Sequence, residues 1–489
     1  MAIEIQVQRV PLRYAVARPY PESCVPQRIP PGRRQAPRPR GTGQAALGRS
    51  IPGLLAGLAL VFGMALGAAP APAQEVAQAP PAYDDPAQDI LIEGIGFSKL
   101  ILEIEQNGAV ARLPGFAGLL PLLEKNLCWS GLFSLHGGVS RHCRLRSRPS
   151  RTDMRLRFAG SGTALGVRLQ DAGPEELVLF EDVLELAEPV TEERVIDLVN
   201  RIAQRITGEP GLLGSTIAFV LRQPGYSKVI VATTTHGERL KLISANRDIS
   251  LLPHWSPSGD ALAYTVLGRN GSAVYYHSML REAGLNRESR FLTARTGLNS
   301  GGAFSPDERR LAFTMSPNGS ADLYEYDFQS GRTRRLTFRD GIETSAVWSP
   351  SAKELLFVSD RSGTPQIYLL DMETLEDLRL TFESGYNADP KWSPDGEQIL
   401  FTKRIGRTDQ IHIMDQYGEN VRSVTSGPHD SEQAEWSPDG KQIVFTSNRS
   451  GVFKLYVVSA DGTNLRRLTH TPERFEESSP SWTWRRMPR

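Results

Sequence analysis

Six times in the C-terminal half of this chain an aromatic residue leads into a tight polar turn and then a β-branched strand. Four copies are nearly verbatim: Trp255-Ser-Pro-Ser-Gly, Trp348-Ser-Pro-Ser-Ala, Trp392-Ser-Pro-Asp-Gly and Trp436-Ser-Pro-Asp-Gly. A fifth begins at Phe304, and a degenerate sixth at Trp482. From Phe304 to Trp348, Trp392 and Trp436 the step is 44 residues each time, with outer steps of 49 and 46. A fixed period of this size means a repeat architecture.

The copy at Trp392 shows the unit. Proline presets the first corner of a β-turn, and Asp395 and Gly396 suit the positions after it. Three short β-prone runs follow, at Ile399–Thr402, Gln410–Ile413 and Val421–Thr425, and the approach to Trp436 supplies a fourth. Four antiparallel strands per repeat is the pattern of a propeller blade, which must stack on its neighbours to cover its faces. The repeat aromatic is expected to pack between blades.

The strand after the turn occurs at Ala261–Thr265, Leu311–Thr314, Leu355–Val358, Ile399–Thr402 and Ile443–Thr446, but no such strand follows Trp482. Residues 217–220, Ile-Ala-Phe-Val, have the same pattern with no tryptophan turn before them. The first strand is therefore expected to complete the last blade and remove its open edge. The predicted fold is an all-β six-bladed β-propeller over 212–489, preceded by a small α/β domain over 90–211.

In that smaller domain Ile90–Ile95, Leu100–Ile104, Met154–Phe158, Ala164–Leu169 and Leu177–Leu186 read as strands, and Phe116–Leu127 as a helix. Thr191 caps a second helix, with Glu192 and Glu193 in its first turn and Val195, Leu198, Val199, Ile202 and Ile206 at helical spacing, before Gly208 ends it.

Residues 1–50 hold nine arginines and two acidic residues, Glu4 and Glu22. An apolar run from Ile51 to Gly67 and then Ala71-Pro72-Ala73 follow, so 1–73 reads as a signal peptide with a long basic n-region, cleaved after Ala73. A retained membrane anchor is the alternative. Residues 74–89 read as a flexible Ala/Pro-rich segment. Loss of the leader removes Cys24 and leaves Cys128 and Cys143, which suit a disulfide in an oxidising compartment; two free thiols are the other reading.

A formal charge of +1 with 23% charged residues offers no electrostatic case for nucleic acid. There is no GxSxG elbow, P-loop, dinucleotide fingerprint or Cys/His ligand spacing. The eight histidines are scattered, with His254 alone placed to approach the propeller channel. Neither an enzyme, a metal site nor a cofactor is expected.

Propellers bind partners at the mouths of the central channel. Five residues before the repeat aromatics stand Ser250, Asn299, Glu343, Asn387, Ser431 and Glu477, all polar. If the inner strands run as expected, these side chains ring one mouth, or they are polar merely because strand-entry loops are. With Thr344, Asp389 and Glu476 nearby the ring leans acidic, so its partner should offer basic or hydrogen-bonding groups.

This organisation resembles the TolB family, periplasmic components of the Tol–Pal envelope system of Gram-negative bacteria. The resemblance runs from about Ile90 to the C-terminus. It rests on the repeat turns, the propeller entry Gly214-Ser-Thr-Ile-Ala-Phe-Val, Leu122-Leu-Glu-Lys-Asn-Leu, and Ser130-Gly-Leu-Phe. It implies a monomeric periplasmic scaffold whose propeller mouth binds a Pal-like peptidoglycan-associated lipoprotein. The N-terminal mature segment would engage a TolA-like inner-membrane protein, in support of envelope integrity and constriction at division. Two other readings remain: a periplasmic propeller that binds glycans or peptides, and a propeller enzyme related to lyases or peptidases.

Overall fold

In the computed structural model one hydrogen-bonding device builds every repeat turn. The structure describes residues 99–486, leaving aside 106–107, 114, 137–148, 150, 162, 187–189, 226–227, 238–239, 245–247, 270, 280–288, 294–295 and 383–384. The serine after each of the first five repeat aromatics accepts the N–H five residues on. Ser256 takes that of Ala261 at 3.1 Å, Ser305 that of Arg310 at 2.9 Å and Ser349 that of Glu354 at 3.2 Å. Ser393 and Ser437 take those of Gln398 and Gln442, both at 2.9 Å. Where the turn has aspartate, the serine hydroxyl donates to it, as Ser437 does to Asp439 at 2.6 Å. The fifth turn residue has positive φ (Gly396 +78°, Gly440 +70°), which glycine adopts freely and which Glu308 and Ala352 adopt in the two departing copies.

Six four-stranded antiparallel sheets follow from these turns. Their inner strands are Ile249–Trp255, Asn299–Phe304, Glu343–Trp348, Asn387–Trp392, Ser431–Trp436 and Glu476–Arg486, and we number the blades I to VI in that order. Blade VI is composite: Glu476–Arg486 pairs antiparallel with Ser215–Arg222, with Ile217 opposite Trp482. Val229–Thr234 and Lys241–Leu242 complete it.

The repeat aromatics are buried and pack between blades. Trp392 joins Leu356, Ile367 and Leu380 of blade III to Ile399, Phe401 and Met414 of blade IV. Phe219, Phe313, Phe357, Phe401 and Phe445, each on the second strand of its blade, are all but inaccessible.

The smaller domain has one sheet of β1 (Leu100–Glu105), β2 (Phe133–His136), β3 (Met154–Ser161), β4 (Ala164–Asp171) and β5 (Val178–Glu185), in the order β2-β1-β3-β4-β5. β1 is parallel to β2 and β3, and the remaining pairs are antiparallel. Helices α1 (Phe116–Trp129) and α2 (Glu192–Thr207) cover one face. Thr191 caps α2 through the Arg194 N–H at 3.4 Å, and Gly208 ends it at φ +78°. The other face carries a charge ladder in which Arg157 meets Glu105 at 2.6 Å and Glu176 at 2.7 Å. The four-residue β2 escaped the sequence reading because so short a run shows no clear period. Among the described residues no helix is long and apolar enough to cross a membrane.

Cys128, buried on α1, is disulfide-bonded, while Cys143 lies outside the described residues. So do the leader, the Ala73 cleavage point, the segment 74–89 and the expected strand at 90–95. The smaller domain sits on the turn side of blades V and VI: Gln442 Nε2 donates to Trp129 O at 2.8 Å, and Asn200 exchanges two hydrogen bonds with Leu213. Among the described residues these contacts lie away from the opposite mouth, where the inner strands begin.

Candidate functional site

Each inner strand carries an irregularity in register, and at each of them a residue at the same repeat position takes positive φ: Leu252, Gly301, Ser345, Asp389, Gln433 and Ser479. All six stand three residues before a repeat aromatic. A bulge bends its strand and re-aims the side chain at that point, and these six residues line the central channel around a cavity of about 110 Å³. His254, Thr344 and Lys391 also line it.

The ring expected from the sequence lies elsewhere. Ser250, Asn299, Glu343, Asn387, Ser431 and Glu477 are buried at the start of the inner strands. All but Ser431 are bonded to the preceding blade. The N–H of Ser250 donates to Lys228 O at 2.9 Å, that of Glu343 to Ala321 O at 2.8 Å and that of Asn387 to Pro365 O at 3.0 Å. That of Glu477 reaches Phe453 O at 3.0 Å. Asn299 donates its N–H to Ser272 Oγ at 2.7 Å, and Asn387 Nδ2 donates to Gln366 Oε1 at 3.0 Å. Ser431 accepts from Arg449 Nη2 at 3.2 Å, and Glu343 is ion-paired with Arg361. The side chains of Asn387 and Glu477 bond across a blade seam, to Gln366 and to the Leu455 N–H, while those of Ser431 and Glu343 bond Arg449 and Arg361 of their own blades, a division that period alone does not reveal. Of the eight expected positions, Thr344 and Asp389 are the ones that line the channel.

A test separates the two roles. Glu343→Ala leaves Arg361 with Asp377 at 2.7 Å but removes a buried acceptor. It is expected to cost about 1–3 kcal/mol of stability, read as a lower melting temperature. Unchanged melting with weakened partner binding would restore Glu343 to the docking surface.

The channel is electrostatically uneven. Lys391 Nζ pairs with Glu435 at 2.9 Å. Asp409 is held bidentately by Arg404, both contacts at 2.8 Å, and its N–H donates to Asp430 at 3.1 Å. The carboxylates of Asp389 and Glu432, both half-buried, accept no hydrogen bond among the described residues. Burial pushes the Asp389 carboxyl up to about 6 against the pull of Lys391. Burial, and then the charges of Asp389, Asp409 and Asp430, push Glu432 up to about 8. His254, whose Nδ1 is 3.0 Å from Trp255 O, is held down at about 3 by burial and then by Lys391. Uncompensated carboxylates at a channel suit a cationic or hydrogen-bond-donating partner group. Glu432 escaped the sequence reading because it comes one residue after the expected ring. Among the described residues no group of three or more His, Cys, Asp or Glu is placed to hold a metal ion.

Residues 203–486 match the family model described as the TolB beta propeller domain. Over 167 residues the chain is 33% identical to a Tol-Pal system protein TolB of Desulfosudis oleivorans, a stretch covering 34% of this chain and 36% of that relative. It is 34% identical over 170 residues to a protein TolB homolog of Chlorobium luteolum, covering 27% of this chain and 39% of the relative. These matches therefore span well under half of the curated relatives' length. The crystal structure of TolB from Acinetobacter baumannii aligns with a TM-score of 0.61 and 25% identity, covering 79% of this chain and 97% of that one.

Proposed function

Because this chain belongs to the TolB β-propeller family, we propose that it serves a Tol–Pal system as a periplasmic docking scaffold rather than as an enzyme. A peptidoglycan-associated outer-membrane lipoprotein docks at the mouth where the inner strands begin. The segment 74–89 engages a TolA-like inner-membrane protein, so that the chain couples the two membranes during constriction. The observation that supports the reading most directly is the pair of carboxylates without hydrogen-bond partners among the described residues, Asp389 and Glu432. Cys128, which we pair with Cys143, suits the oxidising periplasm.

The test is calorimetric titration with the soluble domain of such a lipoprotein. Asp389 and Glu432 ionise as pH rises through about 6 and about 8. A partner offering basic groups is therefore expected to bind more tightly at pH 8.5 than at pH 5.5, by roughly tenfold or more. The Asp389→Asn, Glu432→Gln double variant is expected to bind weakly and flatly across that range. Wild-type affinity in the double variant would remove these carboxylates from the site, and absence of lipoprotein binding would remove the partner.

A further inference from the structure

The smaller domain meets blade VI through His236, which lies in the turn after strand Val229–Thr234 and is 6% exposed. Its Nε2 is 2.8 Å from Asn126 Oδ1 on α1. Asn126 Nδ2 donates to Leu122 O at 2.8 Å, which turns the amide oxygen towards the imidazole and makes Nε2 the donor. On the other side Nδ1 lies 3.3 Å from Thr235 Oγ1. That oxygen already accepts the Gly214 N–H at 2.9 Å, leaving its own proton for Nδ1. The neutral ring is thus satisfied at both nitrogens.

Its surroundings do not favour a second proton. Trp129 of α1 packs against the His236 ring at 5.1 Å between centroids. Lys125 Nζ of α1 is 4.3 Å from the Trp129 ring centroid, and Arg466 Cζ of blade V is 4.4 Å from it. Arg466 also donates to Thr235 O at 3.1 Å. The carboxylate facing the imidazole is Glu192 at the start of α2, 4.0 Å away and paired with Lys125 at 3.0 Å.

We propose that His236, Asn126 and Trp129 form an acid-releasable latch, which holds the smaller domain on the propeller while the imidazole is neutral and loosens when it must take a proton. The latch differs from the docking mouth in place and in residues, and does not depend on the reading given to that mouth. Burial first, with Arg466 and Lys125 outweighed in part by Glu192, holds His236 at about 4 when docked, against 6.5 for an exposed imidazole. The direction follows. Above pH 6.5 neither docked nor released form binds the proton, and docking is at full strength. As pH falls from 6.5 towards 4 only the released form takes it up, so docking weakens by up to tenfold per pH unit, roughly 300-fold across the window.

Hydrogen exchange on the mature full chain, corrected for the intrinsic effect of pH, tests the proposal. Between pH 7.5 and 4.5, α1 and residues 208–214 are expected to lose protection while blades II to IV keep theirs. His236→Gln, whose amide donates to Asn126 without titrating, is expected to stay protected throughout, and His254→Gln to behave as wild type. Wild-type protection that is unchanged across the range overturns the latch, as does loss of protection in His236→Gln at the wild-type pH. Should His236→Gln fail to dock at pH 7.5, Glu192→Gln gives the second reading. Removing the carboxylate that favours the imidazolium holds the docked ring lower still, while the onset stays set by the exposed imidazole. The loss of protection is therefore expected to run on to lower pH and end deeper than in the wild type, and a loss that levels off where the wild type does overturns the proposal.

Discussion

Truncation of Trp392 to alanine is expected to destabilise the propeller by about 3–5 kcal/mol, the usual cost of deleting a buried tryptophan. The residue is 7% exposed and bridges blade III to blade IV, so the cavity opens where two sheets must adhere. Each module in such a ring is held by its neighbours, so a loss at one seam weakens the whole. The melting temperature should fall by roughly 10 °C for a domain of this size. Trp392→Phe is the informative control. The indole Nε1 is buried without a hydrogen-bond partner among the described residues, so phenylalanine sacrifices volume but no hydrogen bond. Its cost should be clearly smaller than that of alanine, because the phenyl ring keeps most of the buried contact and opens less cavity. An alanine variant that melts with the wild type would rule out interblade packing as the role of the repeat aromatic.

Glu477→Ala is expected to cost as much at the ring closure, about 3–5 kcal/mol, because it strips the counter-charge from a buried lysine. Glu477 and Lys454 are both fully buried, 4.0 Å apart. The carboxylate accepts the Leu455 N–H at 2.9 Å and the Thr471 hydroxyl at 2.5 Å, and also engages Thr469. Lys454 Nζ donates to Thr471 Oγ1 at 2.8 Å, Pro472 O at 2.9 Å and Phe475 O at 2.8 Å, tying down the loop that enters the composite blade. Hydrogen exchange should show strands Ser215–Arg222 and Glu476–Arg486 opening before the other blades. Adding Lys454→Met should recover part of the loss, since the stranded charge is gone while the Leu455 N–H stays unpaired. Equal protection of blades III and VI in Glu477→Ala would deny Glu477 a special role in closure.

The blade count and the exchange of the terminal strand were legible because both rest on local chemistry repeated at fixed spacing. A serine that caps the next strand and a proline that presets the turn act within about five residues, so each copy records the same demand in its own segment. The α2 helix was legible for the same reason: Thr191, Glu192, Glu193 and Gly208 act on their own backbone neighbours. The docking ring was not. Ser250, Asn299, Glu343, Asn387, Ser431 and Glu477 recur in period like surface residues would, yet all six are buried, bonded to the preceding blade or to a residue farther along their own. The bulge residues Leu252, Gly301, Ser345, Asp389, Gln433 and Ser479 share a position but span five residue types, since the channel constrains their backbone more than their side chains.

Order along the chain therefore specified a closed ring of six modules, because hydrophobic period and turn chemistry are near-neighbour forces. Which polar groups face water and which face the adjoining blade was settled only on closure. The same closure brought Glu432 near Asp389 beside the channel, and docking of the smaller domain brought His236 against Asn126. Burial and charge proximity depend on residues scores or hundreds of positions apart, and no segment read alone contains them.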